Sequence, residues 1–212
     1  MRVVSWNVRS LRDDARGVAV ALGALEPDLV CLQEAPRLVL WRLSRLRLAG
    51  RSGLRLLTHR KACGNALLAG PSVRLLTADV LRLPRRPGLH RRAAVHARVL
   101  VDGRPLLLAG THLDLDPAAR LDSARRIRQG LPDDPLVLGA DVNDEPGSAP
   151  WAALAAGLTP VGGDSPTFPA RSPRRRIDAL LVDPALELVG GQVVQTGPVS
   201  DHLALLADLR WR

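Results

Sequence analysis

Short apolar runs alternate along the chain with amphipathic segments, and polar turn residues separate them. Apolar or alternating runs bounded by Gly, Pro or Asp are typical of strands, whereas apolar residues at helical spacing indicate helices. Ala19, Leu22 and Leu25, for example, fall on one face of the first predicted helix. The pattern predicts helices at 14–25, 36–50, 117–130 and 149–155, and strands at 2–6, 28–33, 54–58, 64–69, 73–83, 92–101, 105–111, 135–140, 177–182, 186–195 and 202–210.

The order of these elements indicates an α/β fold with at least one large mixed sheet, because strand pairs are interspersed with helices that can cover both outer faces. The 212 residues are enough for a full hydrophobic core. No internal repeat or long linker divides them, so we expect residues 1–212 to form one domain. The predicted loop at 157–175 is long for a compact domain, which favours a functional role.

Several apolar runs end in, or are entered by, a polar side chain that a buried strand does not need. In "LGADVNDEPGS", residues 138–148, a buried run meets Asp141 and Asn143. Taken singly, each such residue is explained by a turn, a cap or a backbone hydrogen bond. The ends of neighbouring strands meet at one edge of a sheet, however, so we expect the whole set to converge. The other members are Asn7, Glu34, His112, Asp178, Asp201 and His202.

The chemistry of this set fits metal-assisted hydrolysis of a phosphate ester. Oxygen ligands such as Glu34, Asp201 and Asn7 suit Mg²⁺ or Mn²⁺. Neither an H-E-x-x-H motif nor a paired cysteine motif indicates zinc. Asp141 can accept the proton of an attacking water while Asn143 orients that water. Imidazole and amide donors suit the negative charge of a phosphoryl group.

Composition adds a preference for an anionic partner. The formal net charge is +9, from 30 basic and 21 acidic residues, which suits nucleic acid, anionic lipid or phosphorylated small molecules. Lys61 is the only lysine, so codon composition is an equally good explanation for the arginines. Four Trp, one Phe and no Tyr are too few for a base-stacking platform. The arginines of the helix at 36–50 fit a membrane or polyanion surface, but a solvated helix face is the favoured interpretation.

The remaining features favour a cytoplasmic protein without stable membrane insertion. No apolar run approaches the roughly 20 residues of a membrane helix. The first residues, "MRVVSWNV", are typical of a strand rather than of a secretory signal. Cys31 lies in an apolar run, and Cys63 has no partner at metal-binding spacing. We therefore expect two structural thiols.

Seven blocks in register resemble the endonuclease/exonuclease/phosphatase superfamily, which includes DNase I-like nucleases, abasic-site endonucleases, neutral sphingomyelinases and inositol polyphosphate 5-phosphatases. The blocks are "SWNV", "LQE", "GNALLAG", "GTHLD", "GADVND", "RRIDALLV" and "SDHLAL", and they extend from residue 5 to residue 206. The resemblance implies a four-layered α/β sandwich, in which two mixed β-sheets pack face to face with helices on the outside. It also implies a catalytic site at one end of that sandwich.

The resemblance assigns roles to the metal ligands and to the residues around the water. It implies that Glu34 is the principal Mg²⁺ ligand, assisted by Asn7 and Asp201, with Mn²⁺ as a possible substitute. It also implies that Asp141 activates or positions the attacking water and that Asn143 orients the water or the phosphate.

The histidines receive roles from the same resemblance. His202 is expected to contact the non-bridging oxygens of the phosphate, and Asp178 to hold its imidazole by a hydrogen bond. His112 is expected to donate to the phosphate or to the leaving oxygen. Abasic-site endonucleases carry a tyrosine at the position of His112, and this chain has no tyrosine. That departure disfavours an abasic-repair activity.

The substrate is left open between three classes. A nuclease acting on DNA or RNA is favoured by the net charge and by the arginine clusters at 82–92 and 171–176, which suit backbone phosphates. The alternative is a phosphomonoesterase or a sphingomyelinase-like lipid phosphodiesterase. A non-catalytic binding scaffold is least favoured, because every expected acidic and histidine position is retained.

Overall fold

The computed structural model describes residues 1–212, which form two six-stranded mixed sheets and four helices. Two short 3-10 turns, Arg9–Leu11 and Ala62–Gly64, lie between them. The helices are α1 (Ala15–Ala24), α2 (Trp41–Arg51), α3 (Pro117–Gly130) and α4 (Ala149–Ala155). The strands are β1 (Arg2–Asn7), β2 (Leu29–Gln33), β3 (Arg55–Leu56), β4 (Ala66–Ala69), β5 (Arg74–Arg82), β6 (Ala93–Val101), β7 (Arg104–His112), β8 (Leu136–Asp141), β9 (Thr159–Pro160), β10 (Asp178–Val182), β11 (Leu186–Val194) and β12 (Ala204–Trp211).

Each sheet contains one parallel pair of strands near its centre. The strand order is β11-β12-β1-β2-β4-β3 in the first sheet and β5-β6-β7-β8-β10-β9 in the second. β1 and β2 are parallel, as are β7 and β8, and the other neighbours are antiparallel. The carboxyl ends of each parallel pair therefore lie at the same edge as the amino end of an antiparallel neighbour, β12 or β10.

Alternation along the strands divides the core into three layers of side chains. In β2, Leu29 and Cys31 belong to the apolar layer between the sheets, whereas Val30 and Leu32 pack with residues of α1 and α2. The second sheet packs in the same way against α3 and α4. The two sheets thus lie face to face with helices outside, as the predicted four-layered sandwich requires.

Glycine allows the sheets to approach closely behind the candidate site. A Cβ atom on Gly139 of β8 would lie 2.5 Å from the Cβ of Cys31 and 2.6 Å from the Oγ of Ser5. A Cβ atom does not approach other non-bonded atoms this closely, so any larger residue would force β8 away from β1 and β2. Because Asp141 follows Gly139 by two residues, this close packing brings its side chain within reach of the first sheet.

The predicted boundaries agree best where capping signals are present. Helix α3 has the predicted limits, because the Asp116 side chain caps it by accepting from the Ala119 N–H at 2.7 Å and Pro117 begins it. The prediction for α2 was wrong at its start. Residues 36 and 37 are irregular and residues 38–40 form a turn, in which Leu40 has a left-handed φ of 56°, so the helix begins only at Trp41.

The remaining differences are confined to edges and loops. The strand predicted at 54–58 is reduced to the two residues of β3, and β9 lies inside the predicted loop at 157–175. The final strand begins at Ala204 rather than 202, because the chain turns at 198–199 and bends through residues 200–202. Both cysteines are free thiols, as predicted. None of the four helices combines the length and apolar content needed to span a bilayer.

Candidate active site

The predicted site residues come together at one end of the sandwich. Asn7 ends β1, and His112 and Asp141 end β7 and β8 as direct partners in the strand register. Asp178 begins β10 opposite Asp141, since those strands are antiparallel. Glu34 and Asn143 follow β2 and β8, and Asp201 and His202 precede β12.

Asp141 lies at the centre of the group and is 1% exposed. Its Oδ2 accepts a hydrogen bond from Asn7 Nδ2 at 2.8 Å, and its Oδ1 accepts one from the Asn143 N–H at 3.0 Å. Two imidazole nitrogens face Oδ2, His112 Nε2 at 3.4 Å and His202 Nε2 at 3.9 Å. Burial alone would raise the pKa of Asp141, but the two histidines and these N–H donors lower it.

His202 and Asp178 form a buried pair. His202 Nδ1 lies 2.9 and 3.1 Å from the two Asp178 oxygens, and the Phe168 ring packs 4.8 Å from the imidazole centre. Trp6 Nε1 donates to the His202 carbonyl at 2.9 Å. Burial alone would lower the pKa of His202, but the charges of Asp178 and Asp141 raise it to about 9. The ring is therefore fixed in orientation and cationic at neutral pH.

His112 lies on the other side of Asp141 and, unlike His202, is uncharged at neutral pH. Burial lowers its pKa. The Asn143 amide nitrogen lies 2.9 Å from Nε2 and donates to the Leu113 carbonyl at 3.0 Å. With the amide nitrogen assigned in this direction, Nε2 accepts a hydrogen bond and the ring proton is on Nδ1, which lies 4.0 Å from Glu34 Oε1. Two differently charged imidazoles therefore flank one carboxylate.

Glu34 is more exposed than the residues around Asp141. Its side chain is 39% exposed, and its one hydrogen bond comes from Asn7 Nδ2 at 3.3 Å. Its backbone φ is 50°, in the left-handed region that a glutamate rarely adopts. Backbone strain of this kind persists where the surrounding structure imposes it and is concentrated at functional sites. Here the neighbouring Ala35 N–H is held by the Gly64 carbonyl at 2.6 Å.

Asp201 is partly satisfied by Arg9. Arg9 Nε lies 3.2 Å from Asp201 Oδ2, and Arg9 Nη1 contacts Asp13 Oδ1 at 2.9 Å. The other oxygen of Asp201, Oδ1, is buried and has no hydrogen-bond partner. Arg9 also lies within electrostatic reach of Glu34. An unpartnered buried carboxylate oxygen and an exposed carboxylate near one arginine are suitable donors for a hard divalent cation.

A second group of possible metal ligands lies deeper. Asp141, Asp178 and His202 each offer one ligand atom, and these atoms lie within 4.8 Å of one another. In that group, however, His202 Nδ1 is already bound to Asp178 and both Asp141 oxygens accept hydrogen bonds. An ion bound there would have to replace some of those hydrogen bonds, whereas Asp201 Oδ1 has none to lose.

Two residues that the sequence analysis missed hold the site in place. The guanidinium of Arg120, on α3, donates to the Asn143 carbonyl, and its Nη2 lies 3.3 Å from Asp144 Oδ2. Ser200 Oγ donates to the Asn7 carbonyl at 2.7 Å and accepts from the His202 N–H at 3.3 Å. Ser200 directly precedes the Asp201–His202 dipeptide, and that position was the signal available for it.

Arg45 is a third residue that the sequence analysis missed. It is 1% exposed, and burial lowers its pKa to about 10. Its guanidinium connects α2 with the chain directly after Glu34 and with the turn at 60–65, so it holds these three segments together. Its five acceptors are the carbonyls of Ala35, Pro36, Arg60, Lys61 and Asn65, at 2.8 to 3.4 Å.

The predicted arginine clusters differ in accessibility. In the cluster at 82–92, Arg82 and Arg91 are exposed, whereas the Arg92 side chain is 12% exposed and pairs with Asp114 at 3.4 Å. The charge of Arg92 adds to burial in lowering the pKa of His112, so this arginine lies near the site. In the other cluster, Arg175 pairs with Glu145 at 2.7 Å. Arg176 is 5% exposed and donates to the Val161 carbonyl, so it is not available to a substrate.

Comparison with known proteins agrees with this architecture. Three similar solved structures are a mannosyl-6-phosphatase from Bacteroides thetaiotaomicron, D. rerio TDP2 in complex with a single-strand DNA product, and the catalytic domain of human Nocturnin with a bound sulfate anion. Their identities to this chain are 17%, 20% and 20%, and their TM-scores are 0.82, 0.76 and 0.74. The alignments cover 100%, 99% and 100% of this chain and 100%, 98% and 94% of the respective neighbours.

At these identities the likeness establishes the fold alone. A comparison with curated protein sequences finds no match. The model of the Endonuclease/Exonuclease/phosphatase family matches residues 4–202, which include all eight predicted site residues. The chain therefore belongs to the Endonuclease/Exonuclease/phosphatase family of phosphoester hydrolases.

Proposed function

We propose that the chain hydrolyses phosphodiesters by metal-assisted attack of water, and that its preferred substrate is a nucleic-acid backbone. The observation that carries this proposal is the buried Asp141, which Asn7 and Asn143 hold between two imidazoles. A fixed carboxylate suits the proton of an attacking water. The surrounding N–H donors suit the charge that develops on a phosphoryl group.

We assign Glu34, Asn7 and Asp201 to a Mg²⁺ ion, with Mn²⁺ as a substitute. The unpartnered Oδ1 of Asp201 and the exposed carboxylate of Glu34 support this assignment. The Asn7 amide directs its nitrogen at Glu34 and Asp141, so coordination through its oxygen requires the amide to turn. When bound, a divalent cation supplies positive charge that polarises a phosphoryl oxygen.

The side-chain contacts support the remaining roles that we assign. Asp141 accepts the proton of the attacking water, and Asn143 orients that water or the phosphate. His202 contacts the non-bridging oxygens through Nε2, since Asp178 holds its Nδ1. His112 donates to the phosphate or the leaving oxygen from Nδ1, the nitrogen that Asn143 leaves free.

The arginines near the site support a nucleic-acid substrate. Arg82 and Arg91 are exposed. Arg92 has a side chain 12% exposed and pairs with Asp114 at 3.4 Å, and its charge adds to the effect of burial in lowering the pKa of His112. Exposed arginines near a phosphoesterase site suit backbone phosphates and predict binding that weakens with salt. A neighbour of the same fold holds a single-strand DNA product.

A lipid or small phosphate ester is the second candidate, and one observation favours it. The segment that follows Glu34 exposes Leu38, Val39 and Leu40 by 76%, 90% and 67%. Apolar side chains beside a hydrolytic site suit a lipid substrate better than a polyanion. A neighbour of the same fold is a sugar phosphatase, which extends the candidates to small phosphomonoesters.

The proposal is tested by offering purified protein three substrates: supercoiled plasmid, bis(p-nitrophenyl) phosphate and p-nitrophenyl phosphate. Each is incubated with Mg²⁺, with Mn²⁺ or with EDTA, and the Asp141→Asn variant controls for contaminating enzymes. We expect metal-dependent nicking of the plasmid that the variant lacks.

The other outcomes each count against a part of the proposal. Cleavage of the small esters alone contradicts the nucleic-acid substrate and favours the second candidate. Equal activity in EDTA contradicts the metal assignment. No hydrolysis of any substrate by folded protein favours a non-catalytic scaffold over the proposal.

A further inference from the structure

The largest exposed apolar feature of the molecule lies on one short segment beside the candidate site. Nine large hydrophobic side chains are exposed, and five of them fall between residues 38 and 46. Monomeric proteins rarely expose contiguous apolar patches of this kind, and such patches mark interaction surfaces. The five residues are Leu38, Val39, Leu40, Leu43 and Leu46, with exposures of 76%, 90%, 67%, 40% and 44%.

The backbone holds these side chains outward. The Pro36 carbonyl accepts from Arg45 Nε at 2.8 Å, and the Leu38 carbonyl accepts from the Trp41 N–H at 3.2 Å. Leu40 adopts a left-handed φ of 56°, which is unfavourable for a branched side chain. The buried Arg45 guanidinium thus anchors the base of the turn, whereas Leu38, Val39 and Leu40 at its tip face solvent. Solubility does not require such an arrangement.

Between Glu34 and Asp79 the chain carries only positive charge. Residues 35–78 contain eight arginines, one lysine and no aspartate or glutamate. Arg37, Arg42 and Arg47 are exposed on the same segment. An apolar centre with arginines exposed on the same segment has the composition that binds the interface of an anionic bilayer.

We infer that the surface formed by residues Arg37–Arg47, the apolar turn, docks on an anionic lipid bilayer. Leu38, Val39 and Leu40 enter the boundary between headgroups and acyl chains, and the flanking arginines contact anionic headgroups. The binding needs neither metal nor turnover, so the inference is independent of the proposed hydrolysis.

Two other occupants fit the observations less well. A nucleic acid would pair with the arginines but leave the leucines and valine in water. A second copy of this chain would cover the apolar turn but bring two surfaces of the same positive sign together, which is repulsive. The bilayer satisfies both the apolar and the basic features.

The test is co-sedimentation with vesicles in EDTA, so that no hydrolysis intervenes. Vesicles of phosphatidylcholine alone are compared with vesicles that also contain phosphatidylglycerol. We expect binding to the anionic vesicles, at least about ten-fold weaker in the double variant Leu38→Asp/Val39→Asp and weaker in Arg42→Glu/Arg47→Glu. The matched control is Val189→Asp, on β11, because Val189 is 61% exposed and far along the chain from the turn. It is expected to bind as the wild type does.

Four results would overturn the inference. The first is that the wild type does not bind anionic vesicles, and the second is that Leu38→Asp/Val39→Asp binds them as well as the wild type does. The third is that the Val189→Asp control binds more weakly. The fourth is that the wild type is a dimer, does not bind vesicles, and becomes a monomer in the double variant. Hydrolysis of bis(p-nitrophenyl) phosphate by the double variant is measured alongside, and we expect it to be unchanged. A loss of vesicle binding is thereby separated from a loss of the catalytic site.

Discussion

The candidate site has two halves that differ in burial and in hydrogen bonding. In the inner half, Asp141, Asp178 and His202 have side chains 2%, 3% and 7% exposed, and they bond to one another or to neighbouring amides. In the outer half, Glu34 and Asp201 have side chains 39% and 34% exposed. Glu34 accepts one hydrogen bond, and Asp201 Oδ1 accepts none.

The fold alone organises the inner half, whereas the outer half has carboxylate oxygens that a bound ligand would satisfy. The dipoles and charges of the inner half are fixed before any substrate binds, which is the condition for strong electrostatic stabilisation of a transition state. The outer half instead keeps carboxylate oxygens without partners, beside a strained Glu34 backbone. We therefore expect substitutions in the inner half to reduce turnover, and substitutions in the outer half to change the metal requirement.

The largest effect is expected from Asp141→Asn. The amide has the shape of the carboxylate but cannot take a proton from water, so kcat should fall by roughly 10²- to 10⁴-fold. The measurement is kcat at saturating Mg²⁺, with Asp133→Asn, an exposed position, as the matched control. Wild-type turnover in folded Asp141→Asn protein would show that Asp141 has no catalytic role.

A smaller loss is expected from each member of the buried pair, and the two losses should not add. Asp178→Asn and His202→Gln each remove the charge-assisted contact that fixes the imidazole, so kcat/KM should fall about 10²-fold in either variant and little further in the double variant. Thermal melting of all three proteins separates this coupling from unfolding. Fully additive losses would mean that the two side chains act separately, and the inner half would then not be one unit.

Glu34→Gln should act chiefly on the metal. The substitution keeps the side chain's length but removes its negative charge, so we expect the Mg²⁺ concentration for half-maximal activity to rise roughly ten- to hundred-fold. At saturating Mg²⁺ most of the activity should return, since the inner half is untouched. An unchanged Mg²⁺ titration would exclude Glu34 as a metal ligand. It would favour the deeper group of Asp141, Asp178 and His202 as the metal site.

The convergence of the site residues was predictable because each stands at the end of a buried run. His112 and Asp141 are register partners across the parallel pair β7–β8, and Asp178 pairs with Asp141 across β8–β10. Strand periodicity predicts where each run ends, and the geometry of the sheet brings the ends of neighbouring strands together. Helix α3 was equally predictable, since Asp116 and Pro117 are strong signals of a helix start.

The supporting residues were not predictable by the same means. Arg45 and Arg120 are buried, yet among 30 basic residues nothing in the sequence distinguishes them from solvated arginines. The predicted start of α2 was wrong for a related reason. Leu38 and Leu40 extend a helical apolar pattern, but a pattern does not reveal whether a core lies beside it, and here the side chains face solvent. Periodicity identifies positions, whereas burial depends on contacts distant in the chain.

The smallest effect, and the finest test of the difference between the halves, is expected from Arg9→Ala. Arg9 is the group that neutralises Asp201 in the outer half, at 3.2 Å, and its side chain is 47% exposed. Removing it takes away a positive charge that competes with a cation. Because exposed charges are screened, the dissociation constant for Mn²⁺ should fall only about two- to five-fold.

Isothermal titration with Mn²⁺ in the absence of substrate measures this effect, and Arg16→Ala, an exposed arginine on α1, is the matched control. The difference should shrink at high salt, since it is electrostatic. Weaker Mn²⁺ binding in Arg9→Ala would reverse the interpretation. Arg9 would then be the residue that positions Asp201 for the metal, and the outer half would be organised by the fold in the same way as the inner half.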